Sequence, residues 1–142
     1  MSWTARLTAS LPMLNEVSAW PEPHLVVVGG FLLPDYQSFV GPQAVADLDA
    51  ISADVAVVGC DGISAADGLT TPHHLVAEIG TIIVRRARRT IVVADSSKIG
   101  RRGFTAIAPI ASVHTVITDA DADPDELKAL RDSGVGVVIA QC

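Results

Sequence analysis

Two short apolar runs rich in β-branched residues, Val55–Val58 and Thr90–Val93, each stop at a loop of Gly, Asp, Ser and Thr. Between them Leu75–Arg89 has the length of a helix, and Leu75, Val76, Ile79, Ile82 and Ile83 recur at helical spacing. Strands that alternate with a helix in this way predict an α/β fold with a mostly parallel sheet. Ligands of such sheets gather at the carboxyl ends of the strands. The loops Cys60–Thr71 and Asp95–Gly103 are therefore expected to face one crevice, and function is sought there.

The chain has 142 residues, enough for one domain with its own core. Apolar residues make up 49% and aromatics only 4%, so the core is expected to be Val, Ile, Leu and Ala, with strands covered on both faces. No apolar run approaches the roughly 20 residues that span a bilayer, and the first residues lack the order of a signal peptide. A cytoplasmic protein without membrane contact is expected. Two cysteines, Cys60 and Cys142, supply neither a disulfide framework nor a metal set, and no cofactor motif is present. A net charge of −6 argues against nucleic-acid binding by this chain itself.

In chain order, Trp3–Ser10 reads as a strand or frayed start, and Pro12–Ala19 as a helix ended by Pro21 and Pro23. His24–Val28 is a strand stopped by Gly29-Gly30, and Phe31–Phe39 a loop or extended crossing. Pro42 opens a helix to about Ile51. Arg85, Arg86, Arg88 and Arg89 at the end of the central helix suit its negative C-terminus. Phe104–Ile107 reads as a short edge strand and Thr115–Thr118 as a full one. Asp119, Asp121 and Asp123 imitate a calcium loop, but Pro124 and Leu130 stand where that loop needs Gly and Glu. A helix start fits better, with Asp123 as N-cap and Glu126 closing a capping box. Val135–Ala140 is the last strand.

Four patches could carry chemistry. Gly29-Gly30 is either a turn or a place where a ligand approaches the backbone. Asp61, Gly62, Ile63 and Ser64, with Gly68–Thr71, offer amides and hydroxyls to an anion or a sugar, and also make ordinary turns. Glu78 sits one turn into the central helix, as a ligand carboxylate or a surface residue. Asp95, Ser96, Ser97 and Lys98 follow an apolar strand, and the ten basic residues are all Arg except Lys98 and Lys128. A compact charge on a flexible stem suits a phosphate. His73 and His74 are adjacent and cannot share a helical face, so they do not form a paired metal site.

At these patches the chain resembles the effector-sensing C-terminal domain of the DeoR family of bacterial transcriptional repressors. The resemblance covers nearly the whole chain. It rests on LVVVGGFLLP, SFVGP at Ser38–Pro42, DVAVVGCDGIS with DGLTT, Glu78, RRARRTIVVADSSKIGRRGF, and VITD at Val116–Asp119. It implies a fold similar to phosphosugar isomerases and the CoA-transferase superfamily, N-terminally truncated. It also implies a non-enzymatic domain that binds a phosphorylated sugar or related metabolite and controls DNA binding by an absent helix-turn-helix domain. Carried over by motif, Gly62, Ile63 and Gly68 shape the pocket, Glu78 and Lys98 are its polar contacts, and Asp95 and Ser97 support the lysine loop. A homo-oligomer is implied as well.

Two departures stand out. The chain starts after the family's first strand–loop–helix, with RLTASLP placing Ala9 where Asn is usual. Gly80-Thr81 stands where the family often has Lys-Arg. The alternatives are a phosphosugar isomerase or deaminase, with Glu78 or Asp61 as base and Lys98 as phosphate anchor, and an oligomerisation module.

Overall fold

The computed structural model describes residues 5–141, which form two compact units divided at Ile51 and Ser52. In the first unit, β1 (Arg6–Thr8) pairs in parallel with β2 (Leu25–Val27), Arg6 opposite Leu25. Helix α1 (Leu11–Ser18) connects them, its N-terminus capped by the Ser10 hydroxyl accepting from Met13 N. This cap satisfies a donor that the first helical turn leaves unpaired. The segment Phe31–Phe39, expected as a loop or extended crossing, is a hairpin of β3 (Phe31–Leu33) and β4 (Ser38–Val40). Pro34 and Asp35 form its turn, and Gln37 takes a positive φ of 50°. Helix α2 (Pro42–Asp49) ends the unit, with Pro at its first turn and Ala44 and Leu48 buried.

The second unit is built on a four-stranded parallel sheet in the order β11-β10-β8-β5. Its strands are β5 (Ala53–Val58), β8 (Ala87–Val93), β10 (Thr115–Thr118) and β11 (Gly136–Ile139). Helices α3 (His74–Arg86) and α4 (Pro124–Asp132) join them. A second, antiparallel sheet of order β6-β7-β9 contains β6 (Gly62–Ser64), β7 (Gly68–Thr71) and β9 (Thr105–Ala108). The core gathers Val92 and Val116 from the parallel sheet, Ile63 and Leu69 from the hairpin, and Ala77, Val84, Leu127 and Leu130 from the helices. The opposite face of the parallel sheet carries Val55, Val57, Val93 and Val138, all exposed. Within this unit, then, helices cover one sheet face and not the expected two.

Three local expectations give way. The Gly, Ser and Thr segment 62–71, expected as loop, is a buried β-hairpin. An added Cβ at Gly62 would lie 2.4 Å from the carbonyl oxygen of Arg101, so only glycine lets the two chains cross there. The central helix stops at Arg86, and Arg88 and Arg89 belong to β8. Ala53 and Val55 of β5 pair with Ala87 and Arg89, and this ladder outweighs the helical preference of the arginines. At α4, Asp123 Oδ1 accepts from Asp125 N at 2.8 Å, and Glu126 lies against Gly100 instead of closing a capping box.

Candidate functional site

The carboxyl ends of β5 and β8 open into Gly59–Asp61 and Ala94–Lys98, as strand polarity requires. A series of hydrogen bonds ties the second loop to the hairpin that follows the first. Gly100 N donates to Ile63 O at 2.7 Å, and Gly103 N to Thr70 Oγ1 at 2.7 Å. Ile63 and Ile99 form an isolated parallel bridge. Segment 99–103 therefore lies across Gly62, Ile63, Thr70 and Thr71, and the two expected loops share one rim.

Each carboxylate on that rim is held in place. Thr71 Oγ1 donates to Asp61 Oδ2 at 2.6 Å, while Asp61 N donates to Thr70 O. Asp95 Oδ1 accepts from Ser97 N at 2.9 Å and from the Ser97 hydroxyl, capping the 3-10 turn Ser96–Lys98. These two bonds hold the Asp95 carboxyl below the usual carboxylate range. Asp119, at the end of β10, accepts from Ser96 N at 2.8 Å and from Asp121 N at 3.0 Å, and is likewise lowered by these amide donors.

Cys60 reports the electrostatics. Burial pushes its thiol up to about 11, the Asp61 charge adds to the rise, and Lys98 opposes it. A thiol at that value is neutral near pH 7 and a poor nucleophile. Arg102 adds a further cation on the segment of Lys98, its Nε 3.7 Å from Asp67 Oδ1.

Of the expected site residues, Asp61, Gly62, Ile63, Asp95, Ser97 and Lys98 come together on this rim. Ile63 is fully buried, so its side chain belongs to the core beneath it. Gly68 opens β7 with φ +68°, and a Cβ there would meet Ala108 O at 2.2 Å. It shapes the hairpin through its backbone. Gly29 and Gly30 lie in the first unit, where a Cβ on Gly30 would meet Val40 O at 2.5 Å. Glu78 is exposed in a separate groove between α3 and β9, lined by none of the loop residues named above. Sequence reading had no role for Thr71 as partner of Asp61, nor for Asp119 as the clasp on Ser96. The only sequence signal for each was its position beside a strand end.

Among the described residues no group of three or more His, Cys, Asp or Glu could hold a metal ion, and no helix is long and apolar enough to cross a membrane. The rim offers three immobilised carboxylates, Asp61, Asp95 and Asp119, and a lysine, a set suited to a ligand with hydroxyls at one end and an anion at the other.

Comparison with known proteins gives this arrangement a class. The chain is 33% identical over 131 residues to the uncharacterized HTH-type transcriptional regulator YulB of Bacillus subtilis, covering 92% of this chain and 51% of that protein. It is 32% identical over 112 residues to the HTH-type transcriptional regulator GlpR of Haloferax volcanii, covering 79% and 44%. With the L-fucose operon activator of Escherichia coli the identity is 26% over 112 residues, covering 79% and 46%. These relatives are regulators of transcription, and the chain spans about half the length of each. The profile of the DeoR C terminal sensor domain matches residues 5–120, and the chain belongs to that family.

Proposed function

We propose that residues 1–142 act as one sensing domain that binds a phosphorylated sugar or related metabolite in the crevice of Asp61, Asp95, Ser97 and Lys98. Gly62, Ile63 and Gly68 shape its floor. Binding shifts the affinity for DNA of a helix-turn-helix domain in the intact, cytoplasmic, homo-oligomeric regulator. A ligand can do this only by binding one state of the regulator more tightly than another. No covalent step is needed.

The observation that carries the reading is the double anchoring of the lysine loop. Asp119 holds Ser96, Asp95 holds Ser97, and the bonds from Gly100 and Gly103 fix the far end. Lys98 is thereby presented from a preorganised turn, beside carboxylates able to accept sugar hydroxyls. Preorganisation lowers the entropy cost of binding. The operon named for the fucose relative lends support to a sugar-derived effector.

Isothermal calorimetry of the chain with a panel of sugar phosphates and the matching free sugars tests this. At least one phosphate is expected to bind about tenfold or more tightly than its free sugar, a gap of about 1.4 kcal/mol, and Lys98→Ala should remove that preference. Equal affinity for phosphate and free sugar, or a Lys98→Ala protein with unchanged preference, contradicts the proposal.

A further inference from the structure

Lys98 and Arg101 are the two ends of a tight turn. Arg101 N donates to Lys98 O at 3.3 Å, Ile99 takes φ −72° and ψ 123°, and Gly100 takes φ +83°. These values match a type II β-turn, whose third residue has positive φ and whose outer Cα atoms lie within about 7 Å. The turn is fixed from three sides. Ile99 is 8% exposed and belongs to the core, Gly100 N donates to Ile63 O at 2.7 Å, and a Cβ on Gly100 would lie 3.0 Å from Glu126 Cγ. Lys98 is half-buried and Arg101 exposed, and neither side chain enters an ion pair or hydrogen bond among the described residues. Arg102, the next cation, is engaged by Asp67.

Charge decides where a phosphate can sit on this rim. Asp61, Asp95 and Asp119 outnumber Lys98, so a dianion seated among them meets more repulsion than one lysine offsets. At the turn the balance reverses, because its ends bring two cations within reach of one anion. Arginine offers a planar fork that grips two phosphate oxygens, and lysine a compact charge. We propose that Lys98 and Arg101, paired across the turn, form the seat of the effector's phosphate group, with the sugar directed toward Asp61 and Asp95. The assignment rests on the sensing reading above, to which it adds a second phosphate ligand and an orientation for the bound effector. Residues three apart in the chain become one binding unit because Gly100 allows the turn and Ile99 anchors it.

Calorimetry of the 142-residue chain with the tightest sugar phosphate of the panel, and with the matching free sugar, supplies the test. Arg101→Gln should weaken the phosphate about tenfold or more and leave the free sugar unchanged, because a charge-assisted hydrogen bond is lost. Arg101→Lys should recover part of the loss, since it keeps the charge without the fork. Arg131→Gln, the same loss of charge in the last turn of α4, should change neither affinity. An Arg101→Gln protein that keeps the phosphate preference, while Lys98→Ala loses it, overturns the paired seat and leaves the sensing reading standing. An equal loss in Arg131→Gln would reduce the effect to net charge and overturn it too. A wild-type chain that binds phosphate and free sugar alike removes both. Inorganic phosphate, titrated against chloride at constant ionic strength, gives a check without the effector. It should shift the amides of residues 98–102 in the wild type and not in Arg101→Gln, and a stretch that stays silent in the wild type contradicts the seat.

Discussion

Replacing Gly62 by alanine tests how tightly the two halves of the crevice are locked. The added Cβ would fall 2.4 Å from Arg101 O, 2.8 Å from Arg101 C and 2.8 Å from Thr70 Oγ1. Ordinary contact starts at 3.4 Å, so segment 99–103 must retreat by about 1 Å. The Gly100 to Ile63 and Gly103 to Thr70 bonds, both 2.7 Å, cannot survive that movement unchanged. Two hydrogen bonds at about 0.5–1.5 kcal/mol each, with overpacking of about 1–3 kcal/mol, give a loss of about 2–6 kcal/mol. For a unit of this size each kcal/mol lowers Tm by about 4–8 °C. Thermal unfolding followed by circular dichroism should therefore show a fall of at least about 8 °C. Gly59→Ala is the control, since its Cβ would meet only Val93 O at 3.9 Å. A Gly62→Ala protein as stable as Gly59→Ala would refute the locking of the loop onto the hairpin.

Other consequences are as direct. Leu130 is fully buried, and Leu130→Ala should cost about 3–5 kcal/mol in chemical denaturation. Thr118 is 3% exposed and its hydroxyl has no partner among the described residues, so Thr118→Val should raise stability by about 1 kcal/mol. A loss of stability instead would mean that the hydroxyl is satisfied. Asp95 and Asp119 should titrate below 3.8 by carbon-13 NMR, and Ser97→Ala should move Asp95 back toward that value. Because both are lowered in the folded protein, their contribution to stability is present above 3.8 and is lost as pH falls through their folded values. Cys60 behaves in the opposite sense: with its thiol raised from 9.0 to about 11, the stability tied to it declines as pH rises between those values. Site-resolved alkylation at pH 8 should find Cys60 slow in the folded chain and faster after unfolding.

The parallel sheet was legible because β-branched runs at Val55–Val58, Thr90–Val93 and Thr115–Thr118 are separated by helix-length segments with helical spacing. Strand polarity then sends the loops of Asp61 and Lys98 to one end without further information. The hairpin at Gly62–Thr71 was not legible, because glycine and threonine there answer to close packing against 99–103, a long-range contact that local composition hides. The same holds for Arg88 and Arg89, drawn into β8 by pairing with β5. Glu78 shows the limit of reading by motif: its place on the helix was foreseen, but the helix turns it into the groove beside β9.

The most direct test of the effector crevice is an amide chemical-shift map of the isotopically labelled chain titrated with the tightest sugar phosphate from the calorimetric panel. The account predicts the largest shifts at Cys60–Gly62 and Ser96–Gly103, with Lys98 central and the α3 groove unmoved. Shifts centred on His74, Glu78 and Thr105, with the lysine loop silent, would contradict it and place the ligand in the groove.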